Sequence, residues 1–267
     1  MQYGYCLGVN FLQDDAIARA TFDAVAEAGF DYVELPLFKL WEMSTAEVAK
    51  LKEALGAIPC KACNVFFPGA LTIVGPQMDM DGVHLYLEKM LPFAAGLGVE
   101  TLVFGNGGAR KIPEGVSREA VWGNLRQVVE AMDAYAKKTG ILISVEPLNK
   151  SETNIINSYG EAVALTEGLV HVSTMIDSYH VAAEGQNYDD VYKYPKALGH
   201  LHTAYPVGRT VPSPGDDMAL YDGFVQMVKT LGYDGKISVE GALRATEPRD
   251  VKAEVMACLE VVKGMLE

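Results

Sequence analysis

Basic residues are in short supply in this chain: 22 Lys and Arg stand against 35 Asp and Glu, a formal net charge of −13. Nucleic acids and anionic membranes are held through basic patches that displace counterions, so this balance argues against both as partners. No run of 18 or more apolar residues occurs, which leaves no candidate transmembrane helix. The opening MQYGYCLGVN carries no basic n-region, so no signal peptide is expected and the chain reads as cytoplasmic. Cysteine is scarce too. Of the four, Cys60 and Cys63 make one CxxC with no second pair to complete a structural zinc site, and all read as reduced thiols of a cytosolic protein. Also missing is a GxGxxG in the first strand-to-helix turn, LGVNFLQDD, which counts against a doubly wound dinucleotide-binding sheet.

What is present is a regular alternation. The 267 residues, 49% apolar and 21% charged, can bury about 70–75% of the unfolded surface. Strand-like runs at Tyr3–Asn10, Asp31–Pro36, Ile58–Phe67, Glu100–Gly105, ILISV from Ile141, STMID to Asp177, GHLHT from Gly199 and Lys236–Glu240 alternate with helix-like segments. The helices are expected at Asp14–Gly29, Ser44–Gly56, about Met80–Gly98, Ser117–Gly140, near Tyr159–Gly168, near Tyr188–Ala197, about Leu220–Gly232 and Pro248–Met265. Ser44 with Glu47 three residues on forms a capping box. Eight βα units without a linker predict a (β/α)8 TIM barrel spanning residues 1–267 as one domain, whose functional groups gather at the C-terminal ends of the strands.

Four consecutive strands end in side chains able to ligate a metal: Glu146 before Pro147, Asp177, His202 and Glu240. A carboxylate at the exit of an apolar strand is costly unless something pairs with it. In a barrel the four exits converge on one mouth, so the set reads as a mononuclear divalent-metal site. His200 and His202 share a face of their strand, and spacing alone does not choose between them; His202 is nearer the exit, leaving His200 a packed or supporting residue. His180, Glu152 and Arg209 fall in loops at the same mouth, where each could instead be a surface residue. His84 and His171 are read as surface residues. The loop GNGGAR (Gly105–Arg110) is Gly-rich, which alone does not specify an anion site. Phe11, Phe38, Trp41, Phe66, Phe67 and Phe104 cluster by position after strands one to four, where they would either pack the loops or stack on a substrate.

EPLNKSE (Glu146–Glu152), MIDSYH (Met175–His180), GHLHTA (Gly199–Ala204) with Arg209, and GYDGKISVE (Gly232–Glu240) together resemble the xylose isomerase-like barrels, and within them the D-tagatose 3-epimerase (D-psicose 3-epimerase) group. The resemblance covers nearly all of the chain. It implies that Glu146 and Glu240 both bind the metal and flank the reacting carbon. Asp177 and His202 would complete the metal shell, with Glu152, His180 and Arg209 holding substrate oxygens. The implied activity is a divalent-metal-dependent epimerase or isomerase that moves a proton beside the carbonyl of a free ketose through an enediolate. A lyase acting on an oxidised sugar, such as a 3-oxo-C-glycoside, is the alternative; an endonuclease-like hydrolase fits the charge poorly. An oxygen-rich set with one imidazole suits Mn2+, with Mg2+ or Co2+ as substitutes. The implied partner is a small-molecule sugar. A homo-oligomer is expected, or a hetero-oligomer with a small subunit if the chain is a C-glycoside lyase. Two departures fall on the substrate pocket: HTAYPVGR lacks the acidic segment many relatives carry before the arginine, and FGNGGARKIPEG lacks an aromatic-proline element.

Overall fold

Short runs rich in apolar and β-branched residues make the strands of the computed structural model, which describes residues 1–267. They are β1 (Gln2–Cys6), β2 (Tyr32–Pro36), β3 (Cys60–Asn64), β4 (Thr101–Phe104), β5 (Leu142–Val145), β6 (Val172–Asp177), β7 (Leu198–Thr203) and β8 (Lys236–Val239). Each pairs in parallel with its sequence neighbours, and β8 closes onto β1. The result is a (β/α)8 barrel, as the alternation predicts. The helices are α1 (Ala16–Ala28), α2 (Leu37–Trp41), α3 (Thr45–Ala54), α4 (Met80–Gly96), α5 (Gly107–Arg110), α6 (Arg118–Thr139), α7 (Tyr159–Thr166), α8 (Ser178–Ala183), α9 (Asp189–Lys193), α10 (Asp222–Leu231) and α11 (Pro248–Leu266). Local chemistry sets their ends. Ser44 and Glu47 form the expected capping box on α3, and Gly29 and Gly140 close α1 and α6 in the left-handed conformation that glycine adopts without strain. No helix is long and apolar enough to cross a membrane.

Three elements differ from the sequence reading by more than two residues. β1 stops at Cys6 and β3 covers only Cys60–Asn64, because the chain leaves the ladder at the mouth to make loops. The helix expected over Tyr188–Ala197 breaks at Tyr194, the residue before Pro195, where the proline ring disfavours helical backbone, and continues as a 3-10 turn. The short helices α2, α5 and α8 are not foreseen, since four to six residues are too few to show a period.

Apolar side chains fill the layer between strands and helices, a continuous cluster of 63 buried residues. The inside of the barrel is different. Branched aliphatics are the usual filling there, but this lumen holds Tyr32, Glu34, His200, His202 and Ser238, all fully buried. Gly4 on β1 explains how Tyr32 fits: a Cβ at position 4 would lie 2.2 Å from the Tyr32 ring. That phenol is 2.9 Å from Ser238 Oγ, and Ser238 in turn donates to Glu34 Oε2 over 2.6 Å. A carboxylate accepts only, so the proton order is Tyr32 to Ser238 to Glu34.

Candidate active site

Register brings the acids to one level. Asp177, the last residue of β6, pairs with His202 on β7. Glu146 and Glu240 lie one step past β5 and β8, where their amides still donate to Phe104 and Thr203. One donor atom from each of Glu146, Asp177, His202 and Glu240 lies within 4.8 Å of the others. His202 Nδ1 is 3.2 Å from Glu240 Oε2 and 3.5 Å from Glu146 Oε1. Glu146 Oε1 and His202 Nδ1 are buried and lack a well-formed hydrogen bond. Buried polar atoms are almost always satisfied, so two such atoms side by side among carboxylates fit a cation. Three carboxylates and one imidazole are a donor set for a hard-to-borderline divalent ion.

The two glutamates differ in environment. Burial raises the Glu146 carboxyl above its usual range, against the pull of His202. For Glu240 burial acts the same way but is outweighed by His202 and Arg209, which hold it below. Asn64, at the exit of β3, adds a donor to Glu240 Oε1 over 3.3 Å. Asp177 is pushed up to about 6 by burial and by Glu240, in spite of Arg209.

Glu34 is the residue that sequence reasoning passes over. It stands on β2 within YVELP, 0% exposed, and accepts from His202 Nε2 at 2.9 Å and His200 Nε2 at 3.0 Å. Burial would raise its carboxyl, yet the two imidazoles hold it well below the ordinary range. His202 shows the converse: burial would lower it, and Glu34 keeps it well above. The signal that singles out Glu146, an acid inside an apolar strand, is equally present at Glu34. His84 is exposed and His171 half-buried, close to the expected surface placement.

The three loop residues meet over the acids. Arg209, in the left-handed conformation (φ 49°), donates to Glu240 Oε2 at 2.7 Å, Asp177 Oδ2 at 3.2 Å and Glu152 Oε1 at 3.2 Å. His180, on the first turn of α8, is buried; its Nδ1 accepts from the Asn149 backbone amide at 3.3 Å. An amide only donates, so the neutral ring carries its proton on Nε2, which faces Asp177 Oδ2 at 3.5 Å and Glu146 Oε1 at 3.8 Å. Burial keeps this ring below its usual value even with Glu146 beside it. Asn149, another residue missed, organises the loop: its Oδ1 accepts from Ser151 N, Ser151 Oγ and Glu152 N, while its amide nitrogen reaches Glu152.

The glycine-rich loop after β4 serves Glu146. Gly105 has no side chain because Glu146 occupies the space: a Cβ there would sit 2.0 Å from Glu146 Oε2. Arg110, fully buried, donates to the carbonyls of Phe104 and Glu146 and lies over the Phe104 ring. Its guanidinium is therefore committed to backbone. Of the six aromatics grouped by sequence position, Phe11 stacks on Phe22 at 4.3 Å, and Phe66, Phe67 and Phe104 pack together around Tyr86, all buried. Packing is their role. Only Phe38 and Trp41 reach solvent, and Trp41 is 37% exposed. With Pro68, Leu71, Leu85 and Tyr86 it lines an apolar cleft of about 300 Å³, formed from segments that follow β2 and β3.

Comparison with known proteins agrees with this architecture. The family described as xylose isomerase-like TIM barrel matches residues 22–260. A 3-dehydro-D-guloside 4-epimerase of Escherichia coli is 24% identical over 247 residues, 89% of this chain and 92% of that protein. The D-psicose 3-epimerase of Agrobacterium fabrum is 25% identical over 211 residues, 72% and 69% of the two chains. The solved D-psicose 3-epimerase of Clostridium cellulolyticum, 19% identical, shares the fold with a TM-score of 0.81 over the whole of both chains. The curated relatives are thus sugar epimerases, and with the family match spanning most of the sequence, the chain belongs to the xylose isomerase-like TIM barrel family.

Proposed function

We propose that this protein is a divalent-metal-dependent sugar epimerase or isomerase that moves a proton on the carbon next to a ketone, with a free ketose as substrate. The observation that carries the reading is the convergence of Glu146, Asp177, His202 and Glu240, with the two buried atoms that face each other without a well-formed hydrogen bond. These four would hold the ion; Mn2+ is the metal of choice, with Mg2+ or Co2+ as substitutes. A bound divalent ion supplies positive charge where an enediolate develops, which lowers the barrier to removing a proton from carbon.

The chain's own groups do the rest. Glu146 and Glu240 project from strands on different sides of the mouth, and their environments push the two carboxyls apart in proton affinity. An inversion at carbon needs one group to take the proton and a second on the opposite face to return one, and two glutamates across the mouth meet that need. Return of the proton to the same carbon epimerises; delivery to the neighbouring carbon isomerises. His180 presents its Nε2–H, Arg209 a cation, and Glu152 an acceptor to the substrate's oxygens. The relatives named above invert a carbinol carbon beside a ketone, in a ketose or in an oxidised glycoside, as their names state.

The test is direct: metal-loaded protein in deuterium oxide is offered free ketoses, aldoses and 3-oxo-glycosides, and NMR follows solvent deuterium entering a sugar carbon. No exchange on any of them, with Mn2+ bound, sinks the reading. The apolar cleft beside Trp41 favours a second reading, a 3-oxo-glycoside whose aglycone lies there. Trp41→Ala separates the two. With a free ketose kcat/KM stays unchanged; with a glycoside it falls roughly tenfold, about 1.4 kcal/mol.

Metal binding is also expected to depend on pH. Asp177 has its proton affinity raised to about 6 in the folded, metal-free chain. An unfolded Asp titrates near 3.9, so between about 4 and 6 the folded state holds more protons than the unfolded one. In that window the metal-free protein loses stability as pH rises. A cation replaces the proton and offsets this loss only above the window. The increase in Tm caused by Mn2+ should therefore be small at pH 5 and large at pH 7. Thermal denaturation with and without Mn2+ at both values checks it, and an equal increase at both would contradict the ligand role of Asp177.

A further inference from the structure

Glu34 has an arrangement that the metal-dependent reading does not use. Its carboxylate lies inside the barrel with neither oxygen exposed, and three donors converge on it from across the lumen. His202 Nε2 gives to Oε1; His200 Nε2 and Ser238 Oγ give to Oε2. No arginine or lysine is within hydrogen-bond reach of it. A carboxylate at that depth is tolerated only when its hydrogen bonds are complete, and these three donors complete them. Its effect is geometric. A carboxylate accepts only, so both strand-seven imidazoles must carry a proton on Nε2. For His202 that turns Nδ1 towards Glu146 and Glu240. Without Glu34, the neutral ring could put its single proton on Nδ1 and offer the mouth a donor where a cation needs a lone pair.

We propose that Glu34 is the positioning residue of the centre: through its bond to His202 Nε2 it fixes the ring's tautomer and orientation so that Nδ1 is presented as the ligand atom. The proposal rests on the metal-dependent reading of the same site. Tyr32 and Ser238 extend it, since the Tyr32 hydroxyl fills the Ser238 lone pair and leaves the Ser238 proton for Glu34. His200 takes the other side of the carboxylate and keeps it from rotating off His202.

Two measurements test it, one needing no substitution. In the Mg2+-loaded wild-type protein, proton–nitrogen correlation spectra should show His202 protonated at Nε2 and bare at Nδ1; a bare Nε2 on His202 overturns the proposal. The second is calorimetric titration of metal-stripped protein with Mn2+. Glu34→Leu, close in size but without acceptors, should raise the Mn2+ Kd by about 10- to 100-fold. Glu34→Gln keeps one acceptor and should fall between that variant and wild type. A purely structural role would instead lower Tm in both variants and leave the Kd of the folded protein unchanged. If Glu34→Leu folds and binds Mn2+ as wild type does, the role of Glu34 is overturned while the metal reading stands. If wild type itself takes up no Mn2+, the metal reading fails, and this proposal with it. Should Glu34→Leu not fold, the wild-type spectra decide.

Discussion

Glu146→Gln and Glu240→Gln are each expected to reduce turnover by about 10²- to 10⁴-fold, the contribution of a well-placed general acid or base. The amide keeps the shape of the side chain and removes its charge and its capacity to take a proton from carbon. Each glutamate is also one of four converging donors, so part of any loss could come from weaker metal binding. Assays at saturating Mn2+ remove that component, and the remaining deficit is the proton transfer itself. The two variants should differ in one respect. If each carboxyl serves one face of the carbon, the variant lacking the base for a given direction should lose solvent exchange in that direction first. Retention of more than roughly a tenth of wild-type turnover by either saturated variant would remove that glutamate from the chemistry.

Gly105→Ala should be nearly as damaging although no functional group is lost. Its Cβ would lie 2.0 Å from Glu146 Oε2 and 3.2 Å from the carboxyl carbon. Neither β4 nor β5 can yield easily, since they pair over four residues and Arg110 ties the carbonyls of Phe104 and Glu146 together. The Glu146 side chain must therefore swing away. A displacement near 1 Å at a catalytic group can cost about 10²-fold in rate, and overpacking of this kind costs about 1–3 kcal/mol of stability. Activity near wild type with Glu146 unmoved in a structure of the variant would contradict the account. Gly105 is not in the left-handed region, so the constraint is space and not backbone conformation.

The barrel is legible because its strands alternate strictly with helices whose ends are marked by Asp15, Ser44, Ser117 and by Gly29 and Gly140. The convergence of Glu146, Asp177, His202 and Glu240 is legible for a related reason: parallel strands of similar length place their last residues at one level. What the sequence hides is everything that depends on approach across the lumen. Glu34 and His202 are 168 residues apart and their strands are not neighbours in the sheet. Asn64 reaches Glu240 from β3 in the same way. Arg110 reads as the end of a glycine-rich loop, and nothing local tells that its guanidinium turns inward onto two carbonyls. For the aromatics the sequence leaves packing and stacking on a substrate both open, and packing is what four of the six do. Tyr86 on α4 covers Phe66, Phe67 and Phe104 and donates to the Phe66 carbonyl at 2.6 Å. Helix packing above a loop leaves no mark in the loop's own residues.

The empty place at Gly4 bears on how this sequence can change over generations. Tyr32 occupies it, and the Tyr32 hydroxyl starts the chain of donors that ends at Glu34. A side chain at position 4 evicts the tyrosine; a smaller residue at position 32 leaves a hole beside Gly4 and withdraws the donor from Ser238. Each single step costs stability, whereas a matched pair could restore the volume, as expected for residues in contact. Such strongly epistatic positions cannot drift independently. Gly4, Tyr32, Ser238 and Glu34 should therefore change in lineages together or not at all, while exposed positions such as Val170, 77% accessible, vary freely. Chains of this fold that carry a larger residue at the first position should be found with a different filling at the second, and with another means of holding the strand-seven imidazole.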